Sequence, residues 1–542
     1  MVAYSRLSLA FVLCGALSCT VDGSVIDDLP CECAQGFVCD ETQNRCVREV
    51  RGDVDAAVVD ENAIFMSPFG ADGAAGTREA PLRTFSEAVS RLEPGSTLVL
   101  LAGRYSESSG TGLMDIDCRE DSTSCAGAPC PSGTVGAPIT VRADQERLAQ
   151  LHAEPGDVNN MGAVLGCEHY RIEGLAFLGA DVEGNPWQSL DVGRSSHVVV
   201  RRNLFQGSNR FVNSHLLLVS RSSDVVLEEN ELYDFHRAGI SIYLAENVRA
   251  RRNYANPRNH ADLENGYVSS TPETGDASFS CSHSRECLYE NNVADGFVGA
   301  AFSLGVSETS DQFSGEGDDA QYLGNLVFDA RHGLLSSSAC GGASDCNAID
   351  ELSIERPRIE NNVFRNTESH GVFLRGVRDA LVDHNTLIES SIRIDRVSAN
   401  ESLGTGVRLT NNSVIDAGST AITVQSQETR FVGFNNSFGS GEDVSFDGGE
   451  EGIGMHTNVD PENGDCLHRN QDGSPLNTMG EAGSAIGATI VRRYEDGTLT
   501  DAPLWAADGS FPCGAVVPGI NDTGPRCTNA HERFNVGTCP VE

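Results

Sequence analysis

An asparagine recurs in a fixed setting of apolar residues between about residue 198 and residue 438. Apolar residues stand five before, three before and two after it, and only Pro357 and Gly433 break the frame. The asparagines of this frame are Asn203, Asn230, Asn253, Asn292, Asn325, Asn362, Asn385, Asn412 and Asn436. Subtracting their successive numbers gives 27, 23, 39, 33, 37, 23, 27 and 24, so the base period is about two dozen residues.

Each repeat predicts one coil of a solenoid. The apolar spacing of two before each asparagine is typical of a strand with one buried face, and so short a unit cannot enclose a core alone. We therefore predict an all-β, single-stranded, right-handed parallel β-helix. Each asparagine is expected where a strand ends, because its side chain tolerates left-handed backbone and can hydrogen-bond locally or to the asparagine one coil away. The alternative, an antiparallel β-sandwich, requires hairpin turns of two to five residues and no fixed phase.

The charge of the chain limits its partners. The 542 residues carry a formal net charge of −40, and the 38 basic residues are all arginine, because the chain has no lysine. Neutralising phosphates requires a basic surface, so we expect no nucleic acid partner and no general binding to anionic membranes. A polyanionic polysaccharide would bind only where Ca²⁺ or a local arginine cluster intervenes.

Residues 1–19 are typical of an export signal, with Arg6 before an apolar run at 7–17 that is too short to span a bilayer. The segment Ala16-Leu17-Ser18-Cys19 resembles a bacterial lipobox. That resemblance implies lipidation of Cys19 and attachment to the outer membrane or cell surface through lipid alone. Ordinary cleavage and secretion is the alternative, and both place the protein outside the cytoplasm.

The cysteine count suits an exported protein. Of 18 cysteines, setting aside Cys14 and Cys19 leaves sixteen, an even number that predicts disulfides. The segment at 20–50 contains "CECAQGFVCDETQNRC", which resembles a small EGF-like disulfide knob; a zinc site is the alternative. We predict a signal at 1–19, this knob at 20–50, the β-helix at 60–445 and an irregular disulfide-containing cap at 446–542. The cap cysteines are Cys466, Cys513, Cys527 and Cys539.

The segment from Ala63, "AIFMSPFGADGAAGTREAPLRTFSEAVSRLEPGSTLVLLAGRYSES", resembles the entry of the pectate-lyase-like β-helix superfamily. Thr84 and Glu87 have capping-box spacing, and an apolar stripe that begins at Phe85 predicts a short helix over the open end of the core. Fold alone does not give an activity. The Asn-Thr-Asp motif of polygalacturonase-type hydrolases and the Asp-Pro-His-Asp motif of alginate epimerases are absent, and so is a lysine base.

The three longest repeats lie between Asn253 and Asn362. Their extra residues are expected to project side by side and to wall a groove beside 256–355. We predict local disulfides within these loops, with Cys281 to Cys287 and Cys340 to Cys346 as the pairs. A metal site of Cys281, His283 and Cys287 is the alternative for the first pair.

The middle long repeat is strongly acidic. Its segment "SETSDQFSGEGDDAQY" contains the carboxylates of Asp311, Glu316, Asp318 and Asp319. Carboxylate oxygens are the ligands that Ca²⁺ prefers, so this loop is the candidate calcium site. A solvated acidic loop is the alternative.

A second strand follows each asparagine by seven to nine residues, as in "GISIY", "HGVFLR" and "SIRID". Alternation puts isoleucine, valine and leucine inward and a polar row outward. We predict that Arg375 and Arg393 lie level on neighbouring coils about 4.8 Å apart. The candidate catalytic residues are Arg375, Arg393, Asp395, His332 and His370, and the candidate binding residues are Phe373, Tyr243 and Gln425. The alternative is a structural arginine–aspartate network with turn-stabilising histidines.

Together these features predict an exported cell-surface β-helix, expected to be a monomer, that binds polysaccharide or a cell-envelope glycan. Ca²⁺ is the only cofactor that the sequence suggests. The alternative is a carbohydrate-active enzyme, either a polysaccharide lyase or a glycoside hydrolase. Such an enzyme would act in the groove beside 256–355.

Overall fold

The chain forms two compact units, Met1–Asp60 and Glu61–Glu542. The computed structural model describes residues 37–40, 45–48, 63–153, 160–179, 188–207, 214–257, 277–296, 298–307, 317–339, 354–395, 406–425, 431–446, 454–461, 470, 473–489, 492–504 and 511–513. In the first unit, strands Phe37–Asp40 and Arg45–Arg48 pair antiparallel, with Cys39 opposite Cys46.

The second unit is built from three faces of parallel strands. Face 1 carries the strand before each asparagine, and its thirteen described strands pair in chain order. They are Ala63–Met66, Thr97–Leu100, Ile139–Ala143, Tyr170–Glu173, Val199–Arg201, Ser223–Glu228, Glu246–Arg251, Arg285–Glu290, Gln321–Leu323, Arg358–Glu360, Leu381–Asp383, Arg408–Thr410 and Phe431–Gly433.

Face 2 follows the asparagine turn, and face 3 follows face 2. Two long strands, Leu326–Ala339 and Val363–Arg375, run through both faces and join them into one sheet. The other strands of face 2 are Gly103–Tyr105, Ala149–His152, Ala176–Leu178, Leu204–Gln206, Glu231–Tyr233, Tyr254–Asn256, Val293–Asp295, Thr386–Ile388, Ser413–Ile415 and Asn436–Phe438. The other strands of face 3 are Met114–Asp117, Gly162–Leu165, Gln188–Gly193, His215–Ser220, Ala238–Tyr243, Ala277–Ser282, Ala300–Ser307, Ile392–Asp395, Thr420–Gln425 and Glu442–Phe446.

The remaining elements are short. The α-helix Phe85–Ser90 begins after Thr84, whose side chain accepts a hydrogen bond from the Glu87 amide. Two 3₁₀ helices span Pro475–Asn477 and Glu481–Gly483. Two small strand pairs are Ile354–Glu355 with Val377–Arg378, and Arg492–Glu495 with Thr498–Pro503. In the part of the chain described above, no helix has the length and apolar character needed to cross a bilayer.

Every strand pair within the three faces is parallel, and each strand pairs with its equivalent on the neighbouring coil. The chain therefore folds as a parallel β-helix, as predicted, and the antiparallel sandwich is wrong. Inside the coils the core is continuous and includes aromatic stacks, with ring centroids of Tyr289 and Tyr322 at 5.2 Å and of Phe279 and Phe302 at 5.0 Å. Stacked identical positions bury the apolar face that one repeat cannot bury alone.

The predicted asparagines form a buried ladder. The side-chain amide of Asn230 donates to the Val200 carbonyl at 2.9 Å and to Oδ1 of Asn253 at 3.0 Å. Oδ1 of Asn253 also accepts the backbone N–H of Asn230, at 3.0 Å. The same pattern repeats from Asn203 to Asn412, so each buried amide satisfies backbone groups at a bend that water cannot reach.

The last member of the ladder corrects the predicted frame. Asn412 donates to Oδ1 of Asn435 at 2.9 Å, not to Asn436. Val432 is buried while Phe431 is partly exposed, so the frame ends one residue earlier than Phe431, Gly433 and Phe438 suggested. Asn436 instead begins a face 2 strand and exchanges hydrogen bonds with the backbone of Val459.

The left-handed residue at each bend is the one before the asparagine, which corrects the prediction. Arg252, for example, has a φ of 54°, and Phe434 has a φ of 55°. At Gly324 the φ is 64°, and a side chain there would approach Asn291 and Tyr494. The asparagines owe their positions to the buried ladder rather than to tolerance of left-handed backbone.

Asn-Asn doublets divide two tasks. In the doublets 291–292, 361–362 and 411–412 the second asparagine enters the ladder, while the first turns outward and binds the returning C-terminal segment. Asn411 accepts from the Glu481 amide at 2.7 Å, Asn361 donates to the Thr489 carbonyl at 2.9 Å, and Asn291 accepts from the Tyr494 amide at 2.7 Å. Because these contacts run back from Asn411 to Asn291, residues 481–489 and 492–494 lie along the coils.

The extra residues of the long repeats do not share one corner of the coil. Those after Asn253 fall between strands of faces 2 and 3, whereas those of the next two repeats fall between faces 3 and 1. Most of these extra residues lie outside the described residues, so the predicted groove beside 256–355 stays a prediction. The disulfide Cys281–Cys287 is present as predicted, so these thiols do not hold a metal, but it joins two buried strand residues rather than closing a loop.

One doublet offers a matched test of the ladder. Asn362→Ala removes the acceptor of the Asn325 amides and the donor to the Tyr322 carbonyl, all of them buried. Unsatisfied buried groups cost roughly 1–3 kcal/mol each, so we expect the unfolding free energy to fall by about 3 kcal/mol or more in urea denaturation.

The control is the neighbouring asparagine. Asn361→Gly should cost only about 1 kcal/mol, because glycine adopts the φ of 57° at this position without strain. It should speed hydrogen exchange in residues 473–504 and leave the coils protected. Equal destabilisation by the two substitutions would contradict the division of tasks within the doublet.

Candidate functional site

Outward-facing residues of face 3 form one continuous row that runs across the coils. Strand register aligns them directly, and we call this set the face 3 row. It comprises Asp115, Ala163, Asp191, Leu218, Ser241, Ser280, Ser303, Leu335, Phe373, Arg393, Thr423 and Ser445. The residues on either side of it in the strand point inward, as Val372 and Leu374 do beside Phe373, and both are fully buried.

Four of the predicted residues meet on this row. The ring of Phe373 lies 5.7 Å from that of His332 and 5.4 Å from that of His370, and the two histidines are register partners. The Arg393 guanidinium carbon lies 5.9 Å from the Phe373 ring centroid. Phe373 is therefore the centre of a cationic and aromatic cluster, and its ring remains partly exposed.

The two arginines are not level, contrary to prediction. Phe373 is the register partner of Arg393, and Arg375 is the partner of Asp395, so the arginines lie on a diagonal. Nε of Arg393 donates to Oδ1 of Asp395 at 2.8 Å. Arg375 is exposed, and within the described residues no carboxylate lies within ion-pair distance of its guanidinium. One arginine is thus neutralised, and the other presents its charge at the surface.

The histidines of the cluster are held neutral. Burial, then the nearby His370 and Arg331, lowers the pKa of His332 to about 4. Burial and the charge of Arg393 also lower the pKa of His370, and Asp395 partly opposes them. Nδ1 of His370 lies 2.9 Å from the Ser391 hydroxyl. Neutral imidazoles can accept or donate hydrogen bonds to a polar ligand without adding charge.

The predicted binding residues divide between two places. Gln425 is the register partner of Asp395 and lies next to the cluster. Tyr243 is four strands away along face 3, roughly 19 Å at 4.8 Å per strand, and its ring contacts His283 at 5.6 Å. Tyr243 belongs to the same face but not to the cluster.

The carboxylates that we considered for calcium are ion-paired where the structure describes them. Arg356 donates to both oxygens of Asp319, at 2.8 and 3.0 Å, and lies 3.6 Å from Asp318. Among the described residues, no group of three histidine, cysteine or acidic side chains could hold a metal ion. Asp311, Glu316, Cys340, Cys346 and Cys19 lie outside those residues.

Two carboxyl groups on the face 3 row escaped sequence reasoning, because they precede the readable asparagine frame. Asp191 and Asp115 flank Ala163 across two strand spacings. Burial raises the pKa of Asp191 to about 6, although a hydrogen bond with Ser220 opposes the shift, and its Oδ1 has no partner. Asp115 accepts a hydrogen bond from Ser124 at 2.7 Å. The row thus begins with two carboxyl groups within three strands, and Phe373 and Arg393 lie near its other end.

The arrangement suits binding of an extended polar chain. Ser241, Ser280 and Ser303 give the middle of the row a floor of small hydroxyl side chains. Phe373 adds an apolar surface, and Arg375 adds an exposed cation. Pockets for polar ligands combine apolar or aromatic area with a few convergent polar groups in this way.

No family model and no curated protein matches the sequence. Solved structures with similar folds include the catalytic unit of a GH87 α-1,3-glucanase from Streptomyces thermodiastaticus, at 13% identity and a TM-score of 0.43. That match covers 69% of this chain and 64% of the glucanase unit. A rhamnogalacturonan lyase matches at 13% identity over 87% of this chain and 98% of its own, with a TM-score of 0.41. A pectate lyase matches at 14% identity over 79% and 96%, with a TM-score of 0.40.

Likenesses this distant carry no information about what the chain binds. The chain spans less than two thirds of the glucanase unit. The fold follows from the strand pairing itself, which aligns equivalent strands of successive coils.

The neutral state of His332 predicts a pH dependence. An unfolded imidazole takes up a proton near pH 6.5, whereas the folded one does so only at a pKa of about 4. The unfolded chain therefore binds more protons between these values, so the unfolding free energy decreases as the pH falls from about 7 toward 4. His332→Gln should flatten this decrease in urea denaturation at pH 7.5 and 5.0.

His197→Gln is the matched control, because the side chain of His197 is 50% exposed at a corner of the coil. It should leave the pH dependence close to that of the unmodified protein. An unchanged slope in the His332 variant would show that this imidazole is not held neutral by folding.

Proposed function

We propose that the protein binds polysaccharide along the face 3 row, with Phe373 as the central contact. The observation that carries the proposal is the partly exposed ring of Phe373, flanked by neutral histidines and by an exposed arginine. The apolar face of a sugar ring packs on an aromatic ring, while its hydroxyls need nearby hydrogen-bond partners. The row is linear, as an extended polymer is.

The positive charge near Phe373 allows an anionic sugar to bind there although the chain as a whole is acidic. The formal net charge is −40, which repels polyanions in general. At the Phe373 end of the row, Arg375 is exposed and Arg393 contributes a guanidinium beside the ring. A sugar that carries a carboxylate would be held there through charge-assisted hydrogen bonds.

Retention on immobilised polygalacturonate, alginate, arabinoxylan, mannan and dextran tests the proposal. The unmodified protein should be retained by at least one of them. Phe373→Ala should weaken binding at least tenfold, which corresponds to about 1.4 kcal/mol. Arg375→Ala should weaken binding to uronate-containing polymers more than to neutral ones, and added salt should reduce that difference.

Phe69→Ala is the control, because Phe69 is 91% exposed and lies outside the face 3 row. Its retention should equal that of the unmodified protein. Lack of retention by every polymer, or equal retention after Phe373→Ala, would refute polysaccharide binding at this site.

The protein is further proposed to act at the cell surface as an exported monomer, anchored through lipid on Cys19. The lipobox-like segment Ala16-Leu17-Ser18-Cys19 supports this placement. Metabolic labelling with a fatty-acid analogue should tag the protein. Cys19→Ser should abolish the label, whereas the control Cys14→Ser should keep it. Retention of the label in the Cys19 variant would exclude this anchor.

Glycoside hydrolysis is a second candidate function, favoured by the raised pKa of Asp191, about 6. A carboxyl group protonated near neutral pH can serve as a general acid. Asp115 lies two strands away, roughly 10 Å between backbones. Inverting hydrolysis requires carboxyl groups about 6.5 to 9.5 Å apart, which this spacing allows.

New reducing ends released from the same five polymers would reveal hydrolysis. Asp191→Asn should abolish them while retention on the polymer persists. Unsaturated ends would instead indicate elimination by a lyase mechanism. Retention without any new ends would refute both catalytic candidates and leave binding alone.

A further inference from the structure

The face 3 row ends in a cavity at its N-terminal limit. The cavity has a volume of about 710 Å³ and is lined by Thr84, Ser86, Glu107, Asp115, Ser124 and Leu165, among others. Binding pockets for small molecules have volumes of about 300–1,000 Å³, so one or two sugar rings would fit. Asp115 and Ala163 belong to both the row and the cavity lining, so the two are continuous.

The cavity closes the row rather than continuing it. Among the described strands, Met114–Asp117 pairs only with Gly162–Leu165, so the row has no member before Asp115. Beyond it lies the start of the helix Phe85–Ser90, where the Ser86 hydroxyl accepts a hydrogen bond from the Ala126 amide at 2.9 Å. The Phe85 amide donates to the Thr111 carbonyl at 3.0 Å, which fixes this wall.

The chemistry of the lining selects the group that enters. Glu107 and Asp115 are exposed carboxylates, and the lining contains no arginine. The hydroxyls of Thr84, Ser86 and Ser124 add hydrogen-bonding groups. Such a lining favours a hydroxyl-rich ring without negative charge and disfavours a uronate. Near the opposite end of the row, roughly 38 Å away across eight strand spacings, lies Phe373, and the exposed Arg375 follows it in the same strand.

We propose that this cavity binds the terminal, non-anionic sugar of a polysaccharide whose following residues lie along the face 3 row toward Phe373. This inference rests on the proposed polysaccharide binding. It adds the direction in which the bound polymer runs and the place where the polymer ends. A polymer cannot pass through the wall formed by the helix start. The protein therefore recognises chain ends, and internal segments of a polymer with blocked ends bind only at the Phe373 part of the row.

The test uses hexasaccharides of cellulose, mannan, xylan and chitin, and an oligogalacturonate of equal length, in calorimetric titrations of the full chain. Each is supplied with both ends free, with the reducing end blocked, or with the non-reducing end blocked. We expect one blocked form of the bound neutral sugar to bind at least tenfold more weakly than the free form. The oligogalacturonate should bind more weakly than the neutral sugar.

Two variants probe the cavity. Ser86→Trp fills it from an exposed helix position and should abolish the tenfold end preference, while retention on the polymers through Phe373 remains. Glu107→Arg reverses one charge of the lining and should improve binding of the oligogalacturonate. Asp121→Asn, an exposed acid outside the lining, is the matched control and should bind as the unmodified protein does.

Equal binding of free and blocked forms would overturn end recognition while polymer retention still supported the proposed function. An end preference that survives both Ser86→Trp and Glu107→Arg would place the recognition elsewhere and would also overturn the proposal. Absence of binding by every hexasaccharide and every polymer would refute the proposed function itself, and end recognition with it.

Discussion

Hydrogen bonds between buried asparagine amides hold the coils of this protein in register. Each ladder amide, such as that of Asn230, ties its own coil to both neighbours. Because the side-chain period of a strand is two, a slip of one residue would expose every core side chain of a coil. Outward rows on the three faces are therefore only as well aligned as the ladder. The alignment of twelve residues on face 3 is a consequence of this constraint.

Face 3 is the candidate binding surface because this alignment brings residues of different chemistry onto one line. Residues far apart in the chain, such as Asp115 and Phe373, fall on one line. Two carboxyl groups lie near its start, serines in its middle, and an aromatic ring and a guanidinium near its end. A surface of this kind distinguishes the two ends of a ligand. Faces 1 and 2 differ, because they meet at the asparagine bend, where the outward asparagines bind Glu481, Thr489 and Tyr494.

Sequence reasoning located most of the scaffold but only part of the site. The asparagine frame succeeded at eight positions because a buried amide and its inward neighbours leave a local pattern. It failed at Asn436 because the doublet offers two amides and only packing selects Asn435. Arg375 lies opposite Asp395 because of the length of the turns between the strands. The spacing of apolar residues does not report that length.

Long-range partners were beyond sequence reasoning for a different reason. The outward role of Asn361 depends on Thr489, 128 residues later. Likewise, Asp191 meets Ala163 and Asp115 only through coil stacking, in a region where Leu175 replaces the asparagine. No periodic signal marks such pairs. The disulfide at Cys281 and Cys287 was found because its residues are close in sequence, yet its place inside the core was not.

The attachment of the tail at separate points has a mechanical consequence. The segment is fastened in reverse chain order, through Glu481 at Asn411, Thr489 at Asn361 and Tyr494 at Asn291. A force that pulls on the C-terminal side would load the buried Leu504 and Phe511 first, then the contact at Asn291, and then the others in turn. Short contacts broken one after another yield at lower force than strands sheared together. The tail would peel away and lengthen as a tether before any coil opened.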